Sequence, residues 1–273
     1  MKKLFIFIYN LSYLISVDLD RYSKIKIMLN WFNYFLLGEI YNLLWKKSIH
    51  FNWYKIYWLN FDILFVLFSE IFIKNEYKFS ANSQKPTIID LGANIWMATT
   101  YFKWIYPNSE IFAFEPDHKH YNILKKNVSH NKLSNVSIYN KAITDYDWKI
   151  DFYTDNESSL IMSTKIWRMS KIKTEVDCLS FSKFIWNKKI DLVKMDIEWW
   201  ELSVLKDLDK NNKFLQIENM IIEYHHNIPW DSMRFSTFLE ILERNNFKYQ
   251  IHWITYPINV KNQFQDVLIH AYK

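Results

Sequence analysis

Apolar residues recur at three- and four-residue spacing through the start of the chain, as at Ile25, Met28, Leu29 and Phe32, and this predicts helix up to about residue 48. Residues 49–58 alternate instead, like two short strands around Asn52-Trp53, and helix resumes from about 60 to 75. Polar residues 81–86, closed by Pro86, read as a linker. Beyond it, short apolar runs that end in an acid alternate with amphipathic stretches. The strands are expected at 87–91, 110–115, 135–140, 190–196 and 220–226, with helices after the first and second, at 118–131, over the leucines 202, 205 and 208, and at 232–245. Segments 149–155 and 172–179 look like sheet excursions, and 249–253 with 266–272 look like an antiparallel edge pair. Strands alternating with helices imply an α/β fold, a mostly parallel sheet with helices on both faces.

Composition excludes several classes. At 50% hydrophobic, 19% aromatic and 23% charged, the 273 residues have ample material for a folded core. A single cysteine, Cys178, rules out a disulfide scaffold. The net charge of +5 is spread along the chain without a long basic run, so no nucleic-acid arm is indicated. Residues 4–17 are apolar behind Met1-Lys2-Lys3, but Asn10, Ser12 and the tyrosines interrupt them and no small-residue cleavage site follows. The run 61–73 is too short to span a bilayer. A cytoplasmic protein is expected, with peripheral membrane contact by the first helix left open.

In open α/β sheets, ligands bind outside the carboxyl ends of the strands. The residues at those ends are Asp90, Gly92 and Asn94, then Glu115, Asn140, Asp196 with Glu198, and Glu223 with His225. Any one of them could be a helix cap; acids closing four separate strands point to a shared site. An acid about 20 residues beyond the first-turn glycine, as Glu115 is, can accept both hydroxyls of a ribose. The turn D-x-G-x-N lacks the glycines that admit a pyrophosphate, and its carboxylate suits an ammonium group, so S-adenosylmethionine is favoured over a nicotinamide cofactor. Asp196, Glu198, Glu223 and His225 are candidates for the acceptor side, where an acid or histidine could remove a hydroxyl proton. The same groups could instead hold a divalent cation, and the spacing leaves both readings open.

These residues resemble the FkbM-type S-adenosylmethionine-dependent methyltransferases. The resemblance covers about 61–247 and rests on Asp90 to Asn94, Phe114-Glu115-Pro116, Asn127, Ala142-Ile143, the run Ile190 to Glu198, Glu201, Leu205, Ile222-Glu223 and His225. It implies a seven-stranded, Rossmann-like methyltransferase sheet, which the strand pattern places over 86–273 behind a helical and hairpin accessory region over 1–80. It also implies O-methylation of a sugar, glycan or natural-product hydroxyl.

The chain departs from that family at Trp96 and Trp199, where the family carries glycine. Taken at face value, a tryptophan at 96 would fill the methionine end of the cofactor site and leave an inactive, methyltransferase-like binding domain. Composition offers another explanation: the chain has 2 glycines and 13 tryptophans. Trp53 follows Asn52 in a predicted hairpin, Trp148 follows Asp147 before a strand, Trp104 lies near a helix end, and Trp230 follows Pro229 in a loop. Each is a place where glycine is expected on local grounds. The sequence therefore predicts that some of these tryptophans are UGA codons whose proper reading is glycine.

Overall fold

The computed structural model describes residues 12–16, 19–44, 47–154, 172–185, 188–226, 234–253 and 265–273. The expectation of glycine at position 230 lies outside them. Helix α1 (Arg21–Leu43) leads into a hairpin of β1 (Ser48–Phe51) and β2 (Tyr54–Tyr57), joined by the two-residue loop Asn52-Trp53. Helix α2 (Phe61–Phe68) follows, its N-terminus capped by the Asn60 carbonyl oxygen, which accepts from the Asp62 and Ile63 amides. Where the sequence predicts one continuous helix over 60–75, the chain widens at Ser69–Ile73 into a π-helical turn.

The main sheet has seven strands in the order β11-β12-β10-β9-β3-β4-β5. They are β3 (Thr87–Leu91), β4 (Glu110–Phe114), β5 (Val136–Tyr139), β9 (Ile190–Met195), β10 (Ile217–His226), β11 (Lys248–Trp253) and β12 (Gln265–Tyr272). Strands β10, β9, β3, β4 and β5 run parallel; β12 lies antiparallel between β10 and β11, which forms the edge pair the sequence predicts. A second, three-stranded sheet combines β6 (Ala142–Thr144), β8 (Ile172–Ser180) and β7 (Trp148–Thr154). Strand β6 was not foreseen, because three residues give no readable alternation.

Successive side chains on a strand point to opposite faces, and the central strands show it. Ile88, Leu192 and Ile221 join one core, which α1, the hairpin, α2, α3 (Met97–Ile105) and α4 (His118–His130) cover. Ile89, Val193 and Ile222 join the other, under α5 (Phe181–Phe184), α6 (Glu201–Lys210) and α7 (Phe235–Arg244). Because both faces are buried, these strands read as unbroken apolar runs.

The first core joins the N-terminal elements to the sheet. On α4, Asn127 accepts from the Tyr57 amide at 2.8 Å and donates to the Tyr57 and Ile95 carbonyls at 3.1 and 2.8 Å. Asn131 repeats the pattern on Lys55, accepting its amide and donating to its carbonyl, both at 2.8 Å. Two side-chain amides thus supply the backbone partners that a further strand would give to β2.

Candidate active site

The first turn after β3 is tied to the neighbouring strand ends. The Gly92 and Ala93 amides both donate to the Phe114 carbonyl, at 3.0 and 2.8 Å, and the Asp196 amide donates to the Leu91 carbonyl at 3.1 Å. Gly92 sits at φ +78, and a Cβ there would lie 1.9 Å from the Asp196 carbonyl oxygen, so no other residue fits. Asn94, at φ +51, steadies the turn by accepting from the Ile95 amide at 2.7 Å.

Glu115, at the end of β4, is 2% exposed. Its two carboxylate oxygens accept from the Asn94 and Asp117 amides, both at 2.8 Å, which fixes the side chain against the first turn. Burial pushes its pKa up to about 7 against the pull of His120 and of these amides. Asn140 braces this corner from behind: its amide donates to the Glu115 and Pro116 carbonyls, both at 2.9 Å.

A cavity opens at the carboxyl ends of β3, β4 and β9. Gly92, Asn94, Glu115, Asp196 and Glu198 give it polar walls; Phe114, Ala142, Ile143, Phe152, Ile197 and Trp200 give it apolar ones. The structure thus brings together five sequence-predicted residues. Asp90, Asn140, Glu223 and His225 do not line the cavity. Asp90 is fully buried, accepts from the Thr99 hydroxyl at 3.0 Å and lies 3.6 Å from the Lys194 ammonium.

The Trp96 ring does not occupy the cavity. It is fully buried in the first core, edge-on to Tyr54 with ring centroids 5.8 Å apart. Trp199 is likewise buried outside the cavity lining. The expected blockage is therefore corrected: residue 96 opens α3 with its side chain turned towards the hairpin.

Asp196 and Glu198 also belong to a charged cluster around His225. His225, 4% exposed, has its Nδ1 2.9 Å from Oε1 of the buried Glu201. Its Nε2 faces Glu198 at 3.6 Å and Asp196 and Asp266 at 3.9 Å each. Burial opposes a charge on His225, but Glu198 and Glu201 overcome it and hold its pKa well above the ordinary value. Glu223 is pushed well above the carboxylate range by burial and by Asp196. Donor atoms of Asp196, Glu198 and His225, and of Glu223, His225 and Asp266, each converge within 4.8 Å, so either set could hold a cation. His226, the next residue on β10, contributes to neither set.

Two residues of this site were marked in the sequence only through the family resemblance and given no role there. Lys194 donates to the Gly92 carbonyl at 2.7 Å and stands 3.7 Å from Asp196; burial opposes its charge, yet Asp196 and Asp90 keep its pKa raised. Its signal was a lysine inside the otherwise apolar strand IDLVKMD. Glu201 also accepts from the Trp199 amide at 3.2 Å, so one carboxylate shapes the loop and orients His225. A glutamate in the first turn of an amphipathic helix looks like an ordinary solvated residue.

Residues 90–249, more than half of the chain, match the family model described as the methyltransferase FkbM domain. Methyltransferase 1 of Beauveria bassiana is 28% identical over 176 residues, covering 56% of this chain and 70% of its own. Methyltransferase sdnD of Sordaria araneosa is 27% identical over 190 residues, covering 58% and 73%. The crystal structure of methyltransferase FkbM from Methylobacillus flagellatus KT superposes with a TM-score of 0.45 at 14% identity, over 88% of this chain and 60% of that one. Matched by that family model over residues 90–249, this chain belongs to the FkbM methyltransferase family.

Proposed function

We propose that the protein transfers a methyl group from S-adenosylmethionine to a hydroxyl of a small molecule, a sugar, glycan or natural product. The observation that carries this reading is that Glu115 lines the same cavity as Asp196 and Glu198, the two acids that His225 faces at 3.9 and 3.6 Å. The residues fit such a cofactor: Gly92 leaves backbone exposed where a side chain could not stand, and Glu115 keeps free lone pairs for ribose hydroxyls. When bound, the cofactor supplies an electrophilic methyl group on a cationic sulfur. Asp90, Lys194 and Asn94 hold the first turn in shape, and Phe114, Ile143 and Phe152 offer flat apolar surface to a base. The acid and histidine cluster orients the acceptor hydroxyl. The proton of that hydroxyl would pass to a side chain of this cluster, His225 or Asp196. The inactive reading loses its support, because the Trp96 ring lies outside the cavity.

Calorimetric titration with S-adenosylmethionine is the test. Saturable binding is expected, and Glu115→Ala should weaken it about ten- to hundredfold, as a charge-assisted hydrogen bond to ribose is lost. No binding by the intact chain would overturn the reading. The convergence of donors on His225 favours a second reading of the acceptor end, in which a divalent cation polarises the hydroxyl. Chelation followed by return of Mg²⁺ or Mn²⁺ separates the two, since a side-chain base alone keeps its activity after chelation.

A further inference from the structure

The backbone separates the tryptophans into two kinds. Among the described residues other than glycine and tryptophan, those with positive φ are six asparagines, Lys132 and Glu198, and all lie between φ 50 and 65. That is the small left-handed region, which asparagine tolerates and other side chains occasionally reach. Three tryptophans lie beyond it: Trp199 at φ 85, Trp96 at φ 104 and Trp148 at φ 140. The one positive-φ glycine, Gly92, stands at φ 78. A bulky side chain at such angles is a true outlier, whereas glycine reaches them without steric cost.

Trp96 carries further penalties. It occupies the N-cap position of α3 with no side-chain hydrogen bond, where Ser, Thr, Asp, Asn or Gly is preferred. Its indole Nε1 is buried with no hydrogen-bond partner. Trp148 has no packing to set against its strain, being 78% exposed.

Other tryptophans behave as tryptophan should. Trp31 is 2% exposed and its indole donates to the Ser69 hydroxyl at 3.0 Å. Trp58 is buried edge-on to Phe61. Trp104 lies inside α3 and packs against Phe51 and Phe72. This corrects the sequence expectation of a glycine cap at 104; at 53 the backbone φ is not positive, so nothing there requires glycine.

We propose that the protein made in its source cell carries glycine at 96, 148 and 199, decoded from UGA, and tryptophan at 31, 58 and 104, decoded from UGG. The two codons are the ones that a single tryptophan assignment merges, so reading UGA as glycine alters only a subset of the 13 tryptophans and leaves the packed ones intact. The inference rests on backbone angles and packing and is independent of the methyl-transfer reading.

The coding DNA and the native peptides test it together. UGA at 96, 148 and 199 with UGG at 31, 58 and 104 is expected, and peptides isolated from source cells should have the mass of glycine at the first three. UGG at any of the three, or a native peptide bearing tryptophan at 96, overturns the proposal. A purified recombinant protein supplies a physical check. Trp148→Gly should raise the melting temperature by about 2–4 °C, because backbone strain is relieved without opening a cavity. Trp148→Ala, which keeps a Cβ, should gain less. An equal gain from both variants, or none from Trp148→Gly, overturns the backbone argument.

Discussion

Glu115 illustrates how one buried carboxyl links the cofactor site to pH. Its ordinary pKa of 4.5 rises to about 7 in the fold, so the native chain keeps a proton that the unfolded chain releases. Its contribution to stability is therefore whole below the unfolded pKa and is lost as the pH rises through about 7. Thermal unfolding of cofactor-free protein at about pH 5 and about pH 8 reads this directly. The wild type should lose more melting temperature across that span than Glu115→Gln, which does not titrate. The ionised carboxylate is also the better acceptor for ribose hydroxyls, so cofactor affinity should strengthen over the same window. Gly92 is the other decisive single residue. Gly92→Ala pushes a methyl group into the Asp196 carbonyl and should abolish measurable cofactor binding in the calorimeter. Both residues were legible in the sequence, because a glycine and an acid directly after apolar strands can be placed by topology alone. The direction of the Trp96 ring was not, since it depends on how the hairpin packs over α3.

Between residues and fold stand the elements that aim the side chains. The loop between β9 and α6 turns on Glu198 and Trp199, both at positive φ, and closes on Glu201, which accepts the Trp199 amide and holds His225. Glu201→Ala strips a buried histidine of its closest carboxylate and should cost about 3 kcal/mol or more by denaturant unfolding. Glu201→Gln should keep the fold but shift the acid limb of the methyl-transfer pH profile to lower pH, because a charge that raises the His225 pKa is gone. The parallel strands were readable because burial on both faces leaves apolar runs with sharp polar ends. The π-helical turn was not readable. Its sequence SEIFI continues the apolar spacing of α2, and the widening puts Glu70 where burial and Glu76 raise its pKa to about 7.

Across the whole molecule, the N-terminal elements and the sheet share one apolar core, and two asparagines fasten the seam. Asn127→Ala removes three hydrogen bonds to Tyr57 and Ile95 and leaves buried backbone groups unpaired, so a loss of about 2–3 kcal/mol in denaturant unfolding is expected. The sequence marked Asn127 through the family resemblance, but its role needs the contact between distant segments that only the fold supplies. Asn131 and Asn127 together occupy the outer edge of β2, and an edge strand left open is a template for pairing with another chain. Removing both asparagines would expose that template while the rest of the molecule stayed folded. The double variant should therefore form intermolecular β-structure on standing, visible as rising light scattering well below its melting temperature.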